Sequence, residues 1–209
     1  MTKKNQHYSS RFPDVSFKQY TISESLRRHL YIFKTTTGIF SFRKIDLGTQ
    51  VFIEHMKIPR KGATLLDLGC GYGPIGIVLA YNSSESKVYM TDVNQRAIWS
   101  AKENVKINLP RSQDRVEVLI GNYFEPFKNK EIMFDGIYTN PPLRQGRDEF
   151  LQLFEQAPKY LNEGATFQFV IKKKMGAPYV EQYLKTTYPN NDLEVMVKRS
   201  GYWVFRFAF

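Results

Sequence analysis

The sequence predicts an α/β fold: a seven-stranded, mostly parallel sheet with helices on both faces and an antiparallel strand from a C-terminal hairpin. Two patterns support this prediction. From residue 63 onward, short apolar runs typical of buried strands alternate with longer stretches of helical periodicity. At the C-terminus, two runs rich in β-branched and aromatic residues flank Ser200-Gly201, which indicates a hairpin.

The elements follow in chain order. Residues 1–20 are polar and predict a loose arm, while the next segments predict short strands around Gly38 (28–47) and a helix (48–57). Further strands are predicted at 63–68, 87–93, 115–121, 133–140 and 165–172, and helices at 74–82, 95–109, 148–161 with a kink at Pro158, and 178–188. We expect one domain over residues 1–209, with 21–62 packed on a core of 63–209. The alternation is Rossmann-like, so ligands should bind beyond the carboxyl ends of the strands.

The charge, the cysteine count and the absence of long apolar segments indicate which partners and which compartment the protein is expected to have. The 209 residues include 30 Lys and Arg against 20 Asp and Glu, a formal net charge of +10 that favours polyanions such as nucleic acid. The single cysteine, Cys70, excludes an internal disulfide and suits a reducing compartment. The N-terminus has no secretory pattern and no run approaches 18 apolar residues, so we expect a cytoplasmic protein without a membrane partner.

The stretch "LLDLGCGYGPIG" joins the first core strand to its helix. Glycines at 69, 71 and 73 permit a tight turn and a close approach of a ligand to the backbone. Pro74 stands where the dinucleotide fingerprint has its third glycine, which argues against a dinucleotide oxidoreductase. Asp67, two residues before the first glycine, suits a cationic ligand better than a diphosphate.

Polar residues also end the next two strands. Asp92 is positioned to accept both hydroxyls of a ribose, and Asn94 is the better candidate for the cap of the following helix. Asn122 could hydrogen-bond an adenine edge, with Tyr123 or Phe124 packed on the ring. Taken alone, Asn122 is also compatible with an ordinary turn.

These residues resemble the class I S-adenosylmethionine-dependent methyltransferases. The resemblance implies S-adenosylmethionine as cofactor and S-adenosylhomocysteine as product, and no His or Cys cluster has the spacing of a metal site, so we expect no metal. The residues expected to bind the cofactor are Asp67, Gly69, Cys70, Gly71, Gly73, Asp92, Val93, Asn94, Asn122, Tyr123 and Phe124.

The fourth core strand ends in "TNPPLRQG". The side-chain carbonyl of Asn140 and the backbone carbonyl of Pro141 can accept the two hydrogens of an amine, and Pro141 and Pro142 fix the backbone that carries them. The alternative is a stiff turn without a catalytic role. The motif resembles the N-P-P-x motif of amino-methyltransferases. Many members have an aromatic fourth residue that stacks on a flipped base, whereas this chain has Leu143.

The segments "GIFSFRKIDLGTQVFIE", "NPPLRQG" and "KKKMGAP" resemble the small-domain methyltransferases related to the ribosomal RNA guanine methyltransferase RsmC. The resemblance implies that Phe40, Asp46, Gly48 and Thr49 border the pocket, with Phe40 on the substrate side. It implies methylation of an exocyclic amine, in the first place of guanine in small-subunit ribosomal RNA. A protein glutamine, an adenine, a small-molecule amine, or cofactor binding without catalysis remain alternatives. RsmC has two methyltransferase-like halves, and a homodimer of this chain could replace the second.

Basic residues are predicted on the substrate side of the pocket. Lys172, Lys173 and Lys174 end the fifth core strand, and Arg144 and Arg147 follow the N-P-P motif. We expect them to contact RNA phosphates, which would give affinity and register but no base identity. The alternative is a solvated charged face.

Overall fold

The computed structural model describes residues 11–59, 62–143 and 148–209. Nine strands and five α-helices are assigned in these ranges. In chain order they are β1 (Gln19–Leu26), β2 (His29–Thr36), α1 (Leu47–His55), β3 (Thr64–Leu68), α2 (Pro74–Asn82), β4 (Lys87–Asp92), α3 (Gln95–Asn108), β5 (Val116–Ile120), β6 (Phe134–Thr139), α4 (Asp148–Gln156), β7 (Leu161–Lys172), α5 (Ala177–Thr187), β8 (Asp192–Arg199) and β9 (Tyr202–Ala208).

The main sheet has seven strands in the order β5-β4-β3-β6-β7-β9-β8. Strands β3 to β7 pair in parallel, and β9 pairs antiparallel with both β7 and β8. The strand order reverses at β3: the chain runs outward from β3 through β4 to β5 on one side, and then continues with β6 on the other side of β3. This confirms the predicted fold class. The change of direction opens a crevice at the carboxyl ends of these strands, where open α/β sheets bind ligands.

Helices bury the two faces of the sheet in two separate cores. One core packs α1, α2 and α3 against side chains such as Leu65 and Met90. The other packs α4 and α5 against side chains such as Leu66 and Phe169. Leu65 and Leu66 are adjacent in β3 yet belong to opposite cores, because successive side chains of a strand point to opposite faces.

The N-terminal hairpin of β1 and β2 packs on α3 through two asparagines. Asn104 accepts from the backbone N–H of Lys34 at 2.6 Å and donates to its carbonyl at 2.9 Å. Asn108 makes the same pair of bonds with Ile32, at 3.0 and 2.8 Å. Asn104 is buried and also donates to the carbonyl of Tyr72 at 2.9 Å, so one side chain connects the hairpin, the helix and the glycine loop.

Several predicted elements differ from the structure, and β7 begins at Leu161, four residues before the predicted start at 165. Residues 39–42 form turns instead of a strand, because Gly38 and Ser41 both have positive φ angles, 87° and 51°. Strand β1 begins at Gln19, inside the predicted loose arm, and Arg96 holds the segment before it by donating to the carbonyl of Val15 at 2.7 Å. Helix α4 ends at Gln156 and a 3₁₀ turn follows, so the kinked continuation to residue 161 is wrong.

The described helices are all too short or too polar to cross a lipid bilayer.

Candidate functional site

A cavity of about 440 Å³ lies at the carboxyl ends of β3, β4, β5 and β6. Its walls come from the glycine loop after β3, the ends of β4 and β5, the Asn-Pro-Pro turn after β6, and the segment that leads into α1. The connections that follow four strands, three of them leading into α-helices, therefore meet at one place. A cavity of this size falls within the range of roughly 300–1,000 Å³ typical of small-molecule sites.

The glycine loop is held by backbone contacts to the neighbouring strand. The N–H groups of Gly69 and Cys70 donate to the carbonyl of Thr91 at 2.9 and 2.8 Å. Gly69 and Gly71 have φ angles of 75° and 57°, and a Cβ built on either would have no atom of the described chain within 4 Å. The backbone is therefore bare on its cavity side, where a ligand can lie directly against it.

Gly73 serves the fold and does not line the cavity. It precedes α2 with φ of 96°, and a Cβ at this position would stand 2.6 Å from Cε of Met90. Pro74 follows as the first residue of the helix, where the absence of an N–H costs nothing. The third glycine thus brings the helix close to β4, which is a packing role.

Asp67 lies beneath the loop, outside the cavity wall. Its side chain is completely buried, and Oδ2 accepts from the N–H of Gly76 at 2.8 Å. Its Oδ1 has no hydrogen-bond partner among the described residues. Burial raises the pKa of Asp67 to about 8, and the bond from Gly76 opposes this only in part. A cation in the cavity would favour the ionised carboxylate.

Cys70 lines the cavity but is not a nucleophile. Burial raises the pKa of its thiol well above the ordinary value, and the nearby charges of Asp67 and Asp92 act in the same direction. The thiol therefore stays protonated at neutral pH and is unreactive.

Asp92 ends β4 and reaches the cavity. Its Oδ2 accepts from the N–H of Gly71 and its Oδ1 from the N–H of Asn94, both at 2.8 Å. Desolvation raises the pKa of Asp92, and these backbone donors oppose that rise. Val93 also lines the cavity, whereas Asn94 does not. Asn94 is buried and caps α3, accepting from Arg96 and Ala97, which confirms the predicted cap.

Of the two aromatic candidates after β5, the structure brings only one to the cavity. Asn122 and Tyr123 line it, while Phe124 is buried in the core of α4 and α5. The ring of Phe124 stacks on Tyr160 with centroids 4.6 Å apart. Tyr123 has φ of 46°, and this left-handed residue turns the chain so that consecutive side chains reach different surroundings.

Asn140 is connected to the start of α1 by a directional hydrogen-bond chain. The Asn140 Nδ2 atom donates to Oγ1 of Thr49 at 2.9 Å, and lies 3.4 and 3.5 Å from the two oxygens of Asp46. The Thr49 hydroxyl in turn donates to Asp46 Oδ2. Because that proton is committed to Asp46, the hydroxyl can only accept from Asn140. The orientation of the Asn140 amide is thereby set, with its NH₂ toward Thr49 and its carbonyl on the other side.

Asp46 is itself fixed as the N-cap of α1. Its Oδ1 accepts from the N–H groups of Gly48 and Thr49 at 3.0 and 3.2 Å. The carboxylate thus neutralises free donors of the helix terminus while it anchors the chain that ends at Asn140.

The remaining residues of the Asn-Pro-Pro motif divide between cavity and core. Pro141 and Pro142 line the cavity, and the Pro141 carbonyl accepts from the N–H of Leu143 at 2.9 Å. That carbonyl retains a second lone pair for another donor. Leu143 itself is buried in the core of α4 and α5 and does not line the cavity, so the structure does not place it against a substrate ring.

The predicted substrate-side residues lie at different places. Phe40 lines the cavity and is 37% exposed. Lys172, Lys173 and Lys174 lie at the end of β7 on the same edge of the sheet, beyond the cavity wall. Arg144 and Arg147 lie outside the described residues.

Sequence reasoning missed several lining residues, namely Ile39, Tyr72, Pro74, Ile75, Thr91, Ala97, Gly121 and Glu149. Thr91 and Gly121 are the immediate neighbours of the predicted Asp92 and Asn122. A search that also included the residue before each polar strand end would have found them. Glu149 is in the first turn of α4, and no motif in the sequence indicates it.

Known proteins resemble the chain over most of its length. The profile of the methyltransferase small domain family matches residues 30–206. The protein YbxB of Bacillus subtilis (strain 168), described as uncharacterized, is 31% identical over 202 residues, which cover 97% of this chain and 98% of that protein.

Two ribosomal RNA methyltransferases are also similar. Ribosomal RNA large subunit methyltransferase G of Colwellia psychrerythraea is 27% identical over 174 residues, 81% of this chain and 44% of that protein. The structure of the 16S rRNA N2 methyltransferase RsmC of T. thermophilus, in complex with AdoMet and guanosine, has a TM-score of 0.75 and 23% identity, covering 94% of this chain and 51% of that one. The chain spans about half the length of these two enzymes, and the likeness to RsmC is one of fold.

Proposed function

The chain belongs to the methyltransferase small domain family and is an S-adenosylmethionine-dependent methyltransferase, and from this premise we propose that it methylates an exocyclic amine of guanine in ribosomal RNA. Two similar proteins are ribosomal RNA methyltransferases by name, one for the large subunit and one for 16S rRNA, the latter solved with guanosine. The net charge of +10 supports a polyanionic substrate. Which subunit carries the target is decided by assaying the two subunit RNAs separately.

The cavity suits the cofactor. When bound, S-adenosylmethionine supplies a methyl group on a positively charged sulfonium. The bare backbone at Gly69 and Gly71 would accommodate it closely, and the oxygens of Asp92 retain lone pairs for ribose hydroxyls. Asp67 is buried and its Oδ1 has no partner among the residues the structure describes, so the sulfonium would place an opposite charge near this carboxyl group. Tyr123 and Asn122 are the residues we assign to the adenine.

The observation that carries the proposal is the fixed amide of Asn140. Its NH₂ is held by Thr49, so its carbonyl oxygen is the end that can accept from a substrate. The second lone pair of the Pro141 carbonyl provides a second acceptor on the same turn. Two acceptors can hold both hydrogens of a planar NH₂ group and direct its lone pair at the methyl group.

Rate enhancement at such a site comes from positioning. Methyl transfer would move the positive charge of the sulfonium to the amine nitrogen, which would become acidic enough to release its proton to water, so no strong base would be needed. We therefore assign Asn140 and Pro141 to the amine, Pro142 to the rigidity of the turn, and Thr49 with Asp46 to the orientation of Asn140.

The substrate class is tested with labelled cofactor. Purified protein is incubated with radiolabelled S-adenosylmethionine and, in separate reactions, with unmodified ribosomal RNA, guanosine, adenosine and a glutamine-containing peptide extract. The proposal requires label on the exocyclic nitrogen of guanine. Label confined to adenine, peptides or small molecules would overturn it in favour of the corresponding substrate.

A further inference from the structure

Five basic residues meet where β7 ends and β8 turns into β9. Lys172 ends β7 and Lys173 and Lys174 follow it, while Lys198 and Arg199 end β8, and we call this group of five residues the turn platform. Lys172 and Arg199 are both register partners of Tyr202. The N–H of Lys173 donates to the carbonyl of Gly201 at 2.8 Å. These contacts bring residues distant in sequence to one edge of the sheet.

The charge of the turn platform is not neutralised within the described chain. None of its five cations forms an ion pair with a described carboxylate, whereas Lys106 and Lys185 each stand 2.7 Å from a glutamate. Two of the ammonium groups instead lie over aromatic rings, Lys198 at 3.7 Å from the centroid of Trp203 and Lys172 at 5.3 Å from that of Tyr202. An aromatic face orients a cation and leaves its charge available to another anion.

The turn platform is physically continuous with the site. The ring of Tyr202 lies against Gly48, where an added Cβ would be 2.7 Å from Cε1 of the ring. Gly48 donates to Asp46, which holds Thr49 and through it Asn140. Lys172 and Arg199 share the face of Tyr202 and so lie on the same side of the sheet as this connection, whereas Lys198 lies over Trp203 on the other face, at the same strand end.

From this arrangement we infer that the turn platform binds the phosphate backbone of the RNA strand whose base enters the cavity, which rests on the function proposed above. Lys198 and Arg199 thereby join Lys172, Lys173 and Lys174 as contacts to phosphate. Such contacts fix register and supply affinity without reading bases. A positively charged surface that carries aromatic rings is typical of proteins that bind single-stranded nucleic acid.

The test measures RNA binding without catalysis. A fluorescently labelled single-stranded RNA is titrated with the full chain at a series of KCl concentrations. In the double variant Lys198→Gln/Arg199→Gln, the slope of log affinity against log salt should become shallower by about 1.4, at about 0.7 for each lost phosphate contact on a single strand. Affinity at about 0.1 M salt should fall by roughly tenfold or more.

The matched control is Lys106→Gln/Lys185→Gln, which removes the same net charge from two helix surfaces. Thermal unfolding of both variants checks that each is folded. An equal loss in the two variants would show that binding follows net charge, and no loss in either would show that RNA binds elsewhere; both results overturn the inference. Equal competition by a polyglutamate peptide of matched charge would overturn the RNA assignment. Wild-type protein that binds no RNA would refute the proposed substrate itself.

Discussion

Replacing Thr49 with valine tests whether the orientation of Asn140 is controlled from α1. The two side chains have nearly the same shape, but valine cannot accept from Nδ2 of Asn140, which loses its 2.9 Å bond and retains only the 3.4 and 3.5 Å approaches to Asp46. The amide then keeps only these long contacts to Asp46 to distinguish its two ends, so its orientation is held more weakly and its NH₂ can turn toward the substrate more often.

The expected loss of kcat in Thr49→Val follows from the contribution of one hydrogen bond. A net contribution of about 1–1.5 kcal/mol corresponds to a loss of about five- to tenfold in kcat, since about 1.4 kcal/mol is tenfold in rate. The KM for S-adenosylmethionine should change by less than about twofold, because Thr49 acts through Asn140 and not on the cofactor loop. Steady-state kinetics with RNA and calorimetric cofactor binding measure the two effects separately.

Two controls separate positioning from stability. Thr49→Ser keeps the hydroxyl and should restore most of the rate. Thr36→Val removes a buried hydroxyl that has no hydrogen-bond partner in the described chain, and should leave kcat unchanged. The reasoning fails if Thr49→Val retains full kcat, or if Thr49→Ser is as impaired as the valine variant.

Three further predictions concern stability. Asn104→Ala should lower the free energy of unfolding by about 2 kcal/mol, because Lys34 and Tyr72 lose their partners, whereas the more exposed Asn108→Ala should cost less; urea unfolding compares them. Gly73→Ala should lower Tm more than Gly164→Ala, since both glycines have positive φ but only Gly73 has Met90 in the way, and equal losses would contradict this. Asp67 should make the ligand-free protein less stable as pH rises between about 4 and 8, because the unfolded chain releases this proton near 3.8 and the folded chain near 8. Asp67→Asn should flatten that decline in Tm, and parallel curves for the two proteins would refute the assignment.

The sheet was predictable because local patterns specify it. Each βα unit carries its own apolar run, helical period and turn residues, and the glycine loop and Asn140 occur at strand ends that the alternation predicts. The segment at 39–42 was mispredicted as a strand for an equally local reason. Its apolar residues resemble a strand, but positive φ at Gly38 and Ser41 turns the chain.

The detailed arrangement of side chains in the candidate site depends on tertiary contacts, which local sequence patterns do not reveal. The bond between Thr49 and Asn140 joins residues 91 positions apart, so only the folded chain reveals its direction. The choice between Tyr123 and Phe124 depends on the left-handed backbone of Tyr123 and on the stacking partner of Phe124, both set by tertiary packing. The position of Leu143 is also set by tertiary packing, since the turn after the prolines directs its side chain into the core.

The measurement that tests the account most directly compares wild-type protein with Asn140→Ala for transfer of labelled methyl from S-adenosylmethionine to guanine in ribosomal RNA. The account predicts label on the exocyclic nitrogen with the wild type, no detectable transfer with Asn140→Ala, and equal cofactor affinity for the two proteins by calorimetry. Transfer by the alanine variant at a rate near that of the wild type would contradict it.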